Sequence, residues 1–250
     1  MLDVHPPEHA AHTWRDFFIH IATIVVGLLI AIGLESAVEW AHHRHQVAET
    51  REALRNEREK NLAAFAENTK RLRRETAWLS NDIVVLSYVK EHPGTPQEKL
   101  PGVLVWGNSW AEFSTSAWTT AQTTGITAFM PQDEVALDAT VYSHLDAITD
   151  TNSECWRSVS HAVSYRFFDR DPADLSPADI EHQIELTKDL ISAHYRRGVE
   201  MENLSEFAHD FQPAPSLEEM NDMLGKLTPE DSRKLAAARA ITDARLAATP

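Results

Sequence analysis

Phe17-Phe-Ile-His-Ile-Ala-Thr-Ile-Val-Val-Gly-Leu-Leu-Ile-Ala-Ile-Gly-Leu34 is the stretch that decides the fold, because it carries no Lys, Arg, Asp or Glu. As a helix it spans roughly 27 Å. That is close to the ~30 Å hydrocarbon core of a bilayer, with Trp14 and Trp40 placed as interfacial anchors. A cleaved signal peptide is the competing reading, and it wants a basic leader, a shorter apolar core and a small-x-small cleavage site. Here Asp3, Glu8, Arg15 and Asp16 precede the run, and Glu35-Ser-Ala-Val-Glu-Trp40 continues it in helical character. A buried core helix is the third reading, but such helices rarely run this long without a polar face. The run is read as a permanent anchor on an otherwise water-soluble domain.

Upstream, residues 1–16 form a tail bearing His and Pro, read as disordered. Downstream, no Gly or Pro interrupts Glu35 to Glu91, so the transmembrane helix (17–40) is expected to continue into a long stem helix (41–92). His92-Pro93-Gly94-Thr95-Pro96 is the stop signal. Within the stem, Leu62, Thr69, Thr76 and Ile83 fall seven apart, and so do Phe65, Leu72, Leu79 and Leu86. Val47 and Leu54 are out of phase by one residue. A parallel coiled coil is one reading of this seam. The preferred one packs the stem on the chain's own later helices, because two Thr weaken a self-sufficient coil and Val84, Val85, Tyr88 and Val89 broaden the apolar face.

Residues 93–250 are read as a helical domain. A Pro- and Gly-bearing loop over 93–112, with Leu104-Val-Trp106 as its apolar part, leads to a helix over Ser114–Thr124. Ser114 or Ser116 caps that helix and Gly125 closes it. Pro131-Gln-Asp-Glu opens a helix through Val135, Leu137, Val141, Leu145 and Ile148. Asn152 and Ser153 are expected to break it before a second helix with Trp156, Val159, Val163 and Phe167 on one side. Asp169-Arg-Asp-Pro172 is a turn. Ser176 then caps a helix with Pro177 at its first position, carrying Ile180, Ile184, Leu186, Leu190, Ile191 and Tyr195 to about Leu204. Ser216-Leu-Glu-Glu and Thr228-Pro-Glu-Asp each open one more. No period-2 strand appears, so the fold is all-α: an anchor continuing into a stem, followed by a helical bundle.

The chain has 250 residues and a net charge of −15. That charge argues against nucleic acid, which needs a basic face, and against the domain lying flat on anionic lipid. Basic residues from Arg44 to Arg74 and acids from Asp133 to Asp189 could attract each other, but two solvated faces are the preferred reading. Cys155 is alone, which excludes an intramolecular disulfide and a Cys-based metal site.

Candidate chemistry is sparse. His42, His43 and His45 point in different directions on a helix and cannot all hold one metal, and His5, His9 and His12 sit in the tail. His20 lies one turn inside the apolar run and is read as reaching the interface. Cys155 with His161 is the nearest approach to a nucleophile and base, yet no catalytic motif frames them and Cys155 reads as core. Neither catalytic, metal nor cofactor-binding residues are assigned, and no enzyme activity is expected. One specific signal remains in the anchor: Thr23, Gly27 and Ala31 make a small-xxx-small ridge that permits close helix approach, with Glu35 extending it.

Val26-Gly-Leu-Leu-Ile-Ala-Ile-Gly-Leu-Glu35, then Trp40, then a Glu- and Arg-rich helix with Asn61-Leu62, resembles a group of uncharacterised single-pass bacterial proteins with a domain of unknown function. Ala117-Trp118-Thr-Thr-Ala-Gln-Thr-Thr-Gly125-Ile126, followed by Val141-Tyr142, is similar to their Trp-containing element and downstream Tyr. The resemblance covers roughly residues 17–145. It implies an N-terminal anchor in the bacterial inner membrane with a helical domain, and no reaction. Trp118 and Tyr142 are expected to pack together.

Arg44, Arg51 and Arg55 outnumber Arg15 across the anchor, which favours a cytoplasmic domain. The resembled proteins carry a basic N-terminal flank, which implies the opposite, and the reading leans to an extracytoplasmic domain. The expected function is non-enzymatic: a membrane-anchored interaction or scaffold module. Its partners would be the lipid bilayer, an unknown protein, and a second copy met through anchor and stem. The alternative is a ligand-sensing domain coupled to the membrane helix.

Overall fold

The computed structural model describes residues 14–105, 107–164 and 171–226. The tail histidines, Trp106, Phe167, Asp169 and Arg170 of the expected turn, and the helix expected at Thr228 lie outside these residues. All regular structure among the described residues is helical: α1 (Trp14–Glu91), α2 (Ser116–Thr123), α3 (Gln132–Ser164), α4 (Pro177–Phe207) and α5 (Leu217–Lys226).

Helix α1 runs 78 residues without a break, so the apolar run and the stem are one element. It starts at Trp14, which makes the last three residues of the expected tail helical, and ends one residue before His92-Pro93. Gly94, at φ 78°, turns the chain back in a conformation that a side chain would strain. Its N-terminal part is long and apolar enough to cross a membrane, and none of that window is buried by the rest of the chain.

From Val47 onward the other face of α1 is covered. Nearest the apolar run, Val47, Leu54, Phe65 and Leu72 pack with Trp118, Tyr142, Leu145, Met201 and Phe211. Farther along, Leu79 meets Val159 and Leu190. At the distal end Val85, Leu86 and Val89 meet Ile180 and Ile184. Helix α3 therefore runs parallel to α1 and α4 returns antiparallel, giving a three-helix bundle. Helix α5 is seated on α1 and α4, where Met220 lies so close to Gly198 that a Cβ there would come within 2.6 Å of its sulfur. The heptad seam Phe65, Leu72, Leu79, Leu86 is thus buried inside a single chain, as the preferred reading of the stem holds.

Two expectations for α3 need correction. Asn152 and Ser153 do not break it. The buried stripe is Val141, Leu145, Ile148, Asn152, Cys155, Val159 and Ala162, a regular alternation of three and four in which Asn152 is a seam residue. Trp156 and Leu137, expected on the apolar side, are 49% and 47% exposed. In α4 the seam is likewise completed by polar residues, Gln183, Thr187, His194 and Arg197, while Leu186, Ile191 and Tyr195 are only half-buried.

The segment between α1 and α2 runs back along α1 in extended form with no partner strand. Its peptide groups need hydrogen-bond partners, and a column of polar side chains on α1 supplies them. Asn61 donates to the Ser114 carbonyl and accepts from the Ser114 amide, both at 2.8 Å. Asn68 does the same to Ala111, at 2.9 and 2.8 Å. Glu75 accepts from the Ser109 amide at 2.7 Å, and Asp82 from the Val105 amide at 2.7 Å. The seven-residue spacing of 61, 68, 75 and 82 keeps all four on one helix face. From Asn61 to Asp82 the helix rises roughly 31 Å, and an extended chain from Ser114 back to Val105 covers roughly 30 Å. The two lengths match, so the strap stays in register over its whole course.

Candidate functional site

Beyond Asp82, which holds the strap, two further buried carboxylates and one groove gather the chemistry-bearing residues. Glu57 projects from α1 against the start of α2. It accepts from the Ser114 and Ser116 hydroxyls at 2.7 and 2.9 Å, from the Ala117 and Trp118 amides at 2.8 and 3.3 Å, and from the Tyr142 hydroxyl at 2.7 Å. Neither serine is the N-cap. That position is Thr115, which makes no side-chain cap, and Glu57 caps α2 across the fold instead. Burial pushes the Glu57 carboxyl pKa up, but the Ala117 amide and the Tyr142 and serine hydroxyls outweigh it and hold it below the ordinary value. Tyr142 is pushed well up by burial and by donating to Glu57. Its ring stacks on Trp118 at 5.4 Å, as the sequence leads one to expect. Gly125, at φ 73°, ends the segment in the left-handed conformation expected of it.

Glu75 is the centre of the second cluster. It accepts from Ser109, from Arg197 Nη2 at 2.8 Å, and faces His194 Nε2 at 3.1 Å. Arg197 Nη1 reaches Asn108 and Asn152 at 2.7 and 3.1 Å, and Trp110 lies against the guanidinium at 5.3 Å. Burial opposes ionisation of Glu75, but His194 and Arg197 dominate and draw its pKa down to about 2. Burial lowers His194, reinforced by Arg197 and opposed by the Glu75 hydrogen bond. Cys155 is pushed up to about 11 by burial, which leaves a poorly nucleophilic thiol, and His161 is exposed on another side of α3. These carboxylates are ionised acceptors fully engaged by backbone, hydroxyl and guanidinium donors, an arrangement that clamps elements together.

Sequence reasoning missed Glu57, Asn61, Asn68, Glu75, Asn152, His194 and Arg197. For Asn61, Asn68 and Glu75 the available signal is their seven-residue spacing, which continues the Val47 and Leu54 series that is out of phase with the Leu62 seam.

The third feature lies where α1 leaves the apolar run. A groove of about 580 Å³ is lined by Trp40, His43, Arg44, Arg51, Phe129 and Pro131, with Ser36 and Glu39 at the end nearest the apolar run. His43 stacks on Phe129 at 3.7 Å and Arg44 lies over the Trp40 ring at 5.2 Å. Arg51 is held bidentately by Glu134 at 2.8 and 2.9 Å. This is one discrete pairing between the basic stem and the acidic distal segment, and Lys90 with Glu181 is another. His42 is exposed and His45 pairs with Glu49 at 3.3 Å, so His42, His43 and His45 diverge. Among the described residues no three His, Cys, Asp or Glu side chains converge in a metal-holding group.

Thr23, Gly27 and Ala31 are exposed along one face of α1. The Thr23 hydroxyl is turned back onto the Ile19 carbonyl at 2.9 Å, and a Cβ on Gly27 would meet nothing within 4 Å. At 3.6 residues per turn this ridge lies roughly half a turn away from Val47 and Leu54, where the bundle packs. No protein-family model, curated protein or solved structure matches this chain.

Proposed function

We propose that this chain is a single-pass, membrane-anchored helical module of the bacterial inner membrane that acts through protein contacts, self-associating through its anchor, rather than by catalysis. The observation that carries this reading is the unbroken α1, which is at once the apolar span and the central helix of the bundle. Whatever binds in the membrane is thereby coupled to the domain without a hinge. Two further features support it. The charged side chains in the bundle interior are engaged in holding the strap, α2 and α4. The Thr23-Gly27-Ala31 ridge faces away from the bundle, so a second copy approaching it meets no domain of its neighbour.

Cross-linking in native membranes followed by mass spectrometry tests the reading. The expected result is a homotypic product that falls severalfold in Gly27→Leu. A purely monomeric pattern, unchanged by that substitution, would overturn self-association. Reporter fusions at the C-terminus place the domain on one side; the basic residues after the anchor and the resembled proteins point to opposite answers.

A further inference from the structure

The juxtamembrane groove is the feature that neither the bundle nor the ridge accounts for. Counted from Phe17, a ~30 Å hydrocarbon core ends near Ser36. Ser36, Glu39 and Trp40 then lie at headgroup depth, and Phe129 and Pro131 overhang them from the aqueous side. The groove also continues a stripe of the anchor. Val25, Leu29, Ile32, Ser36, Trp40, His43 and Val47 follow one another at intervals of three and four, so they share one face of α1. An acyl chain lying along Val25, Leu29 and Ile32 therefore leads its headgroup under Phe129.

The charges in the groove select the headgroup. Arg51 is occupied by Glu134, whereas Arg44 is exposed and lies over Trp40, with a guanidinium suited to a phosphate. Glu39 lines the same groove. A headgroup carrying an ammonium beyond its phosphate meets that carboxylate favourably, and a net-negative one meets it unfavourably, in a chain already at −15. We infer that this groove holds the headgroup of one bilayer phospholipid of the zwitterionic, ammonium-bearing class, with its phosphate at Arg44 and its tail along Val25, Leu29 and Ile32.

The inference rests on the membrane reading of α1, so the test begins there. The full chain is reconstituted into vesicles of equal fractions of phosphatidylethanolamine and phosphatidylglycerol, and floated at alkaline pH. Failure to float overturns the anchor and this inference together. The floated protein is then extracted in mild detergent and its retained lipids are identified by native mass spectrometry. Retention of phosphatidylethanolamine over phosphatidylglycerol is expected. Arg44→Gln should lower retention roughly tenfold, and Glu39→Gln should erase the preference without removing binding. Arg44 and Glu39 are exposed, so both variants keep the bundle. Retention unchanged by Arg44→Gln, no retained lipid, or a preference for phosphatidylglycerol would each overturn the inference while leaving the anchor in place.

Discussion

Glu75 shows how a single residue can set the acid stability of this fold. Its carboxyl is drawn from an ordinary 4.5 to about 2, so the unfolded chain takes up the proton at higher pH than the folded one. It contributes about 3 kcal/mol, present above pH 4.5 and lost as the pH falls to about 2. His194 acts in the same direction at higher pH. Its folded pKa lies below 6.5, so its contribution is complete above pH 6.5 and declines as the pH falls below it. Glu75→Gln should cost about 3–5 kcal/mol at neutral pH, because it leaves a buried Arg197 without its carboxylate. It should also flatten the acid limb below pH 4.5 in denaturant unfolding followed by circular dichroism. An unchanged acid limb would mean that Glu75 does not carry the dependence. At the other carboxylate, Tyr142→Phe removes one of five donors to Glu57 while keeping the Trp118 stack. The expected loss is about 1.5–3 kcal/mol by the same unfolding measurement.

At the scale of elements, the strap is the least conventional part of the molecule. It is an extended segment whose peptide groups bond to a helix's side chains. If Asn61 and Asn68 hold it, replacing both with Ala should raise amide exchange at Ala111 and Ser114 by at least an order of magnitude. The middle of α4 should exchange as before. Equal protection in the double variant would show that apolar packing of Leu104 and Val105 suffices. The strap also explains what the sequence made legible. Long apolar periodicity announced α1, and the Ser176-Pro177 and Ser216 starts announced α4 and α5, because caps and stripes are local. The strap's partners lie as much as 89 residues away along the chain, and their side chains are Asn, Asp, Glu and Arg, which local reasoning assigns to solvent or to breaks. Asn152 was misjudged for that reason: its preference for turns is overridden by Asn108 and Arg197. That Thr23, Gly27 and Ala31 share one exposed face of α1 follows from helix spacing alone.

At the scale of the whole molecule, the continuity of α1 makes the angle between anchor ridge and bundle a fixed quantity. Each residue of α-helix adds ~100° of rotation. Inserting one Ala between Leu34 and Glu35 should therefore swing the ridge roughly a quarter-turn around the bundle, and Ala favours unbroken helix there. Seven inserted residues complete almost two full turns and return the ridge to nearly its native bearing, with the domain carried ~10 Å outward. With copies joined through the ridge, quantitative lysine cross-linking in native membranes should show domain-to-domain products that change identity with one inserted residue. Seven inserted residues should restore them. A flexible tether would make the pattern indifferent to both insertions, because domain orientation would average over all bearings. An identical pattern in the native chain and both variants would thus sink the idea that the anchor dictates how neighbouring domains face one another.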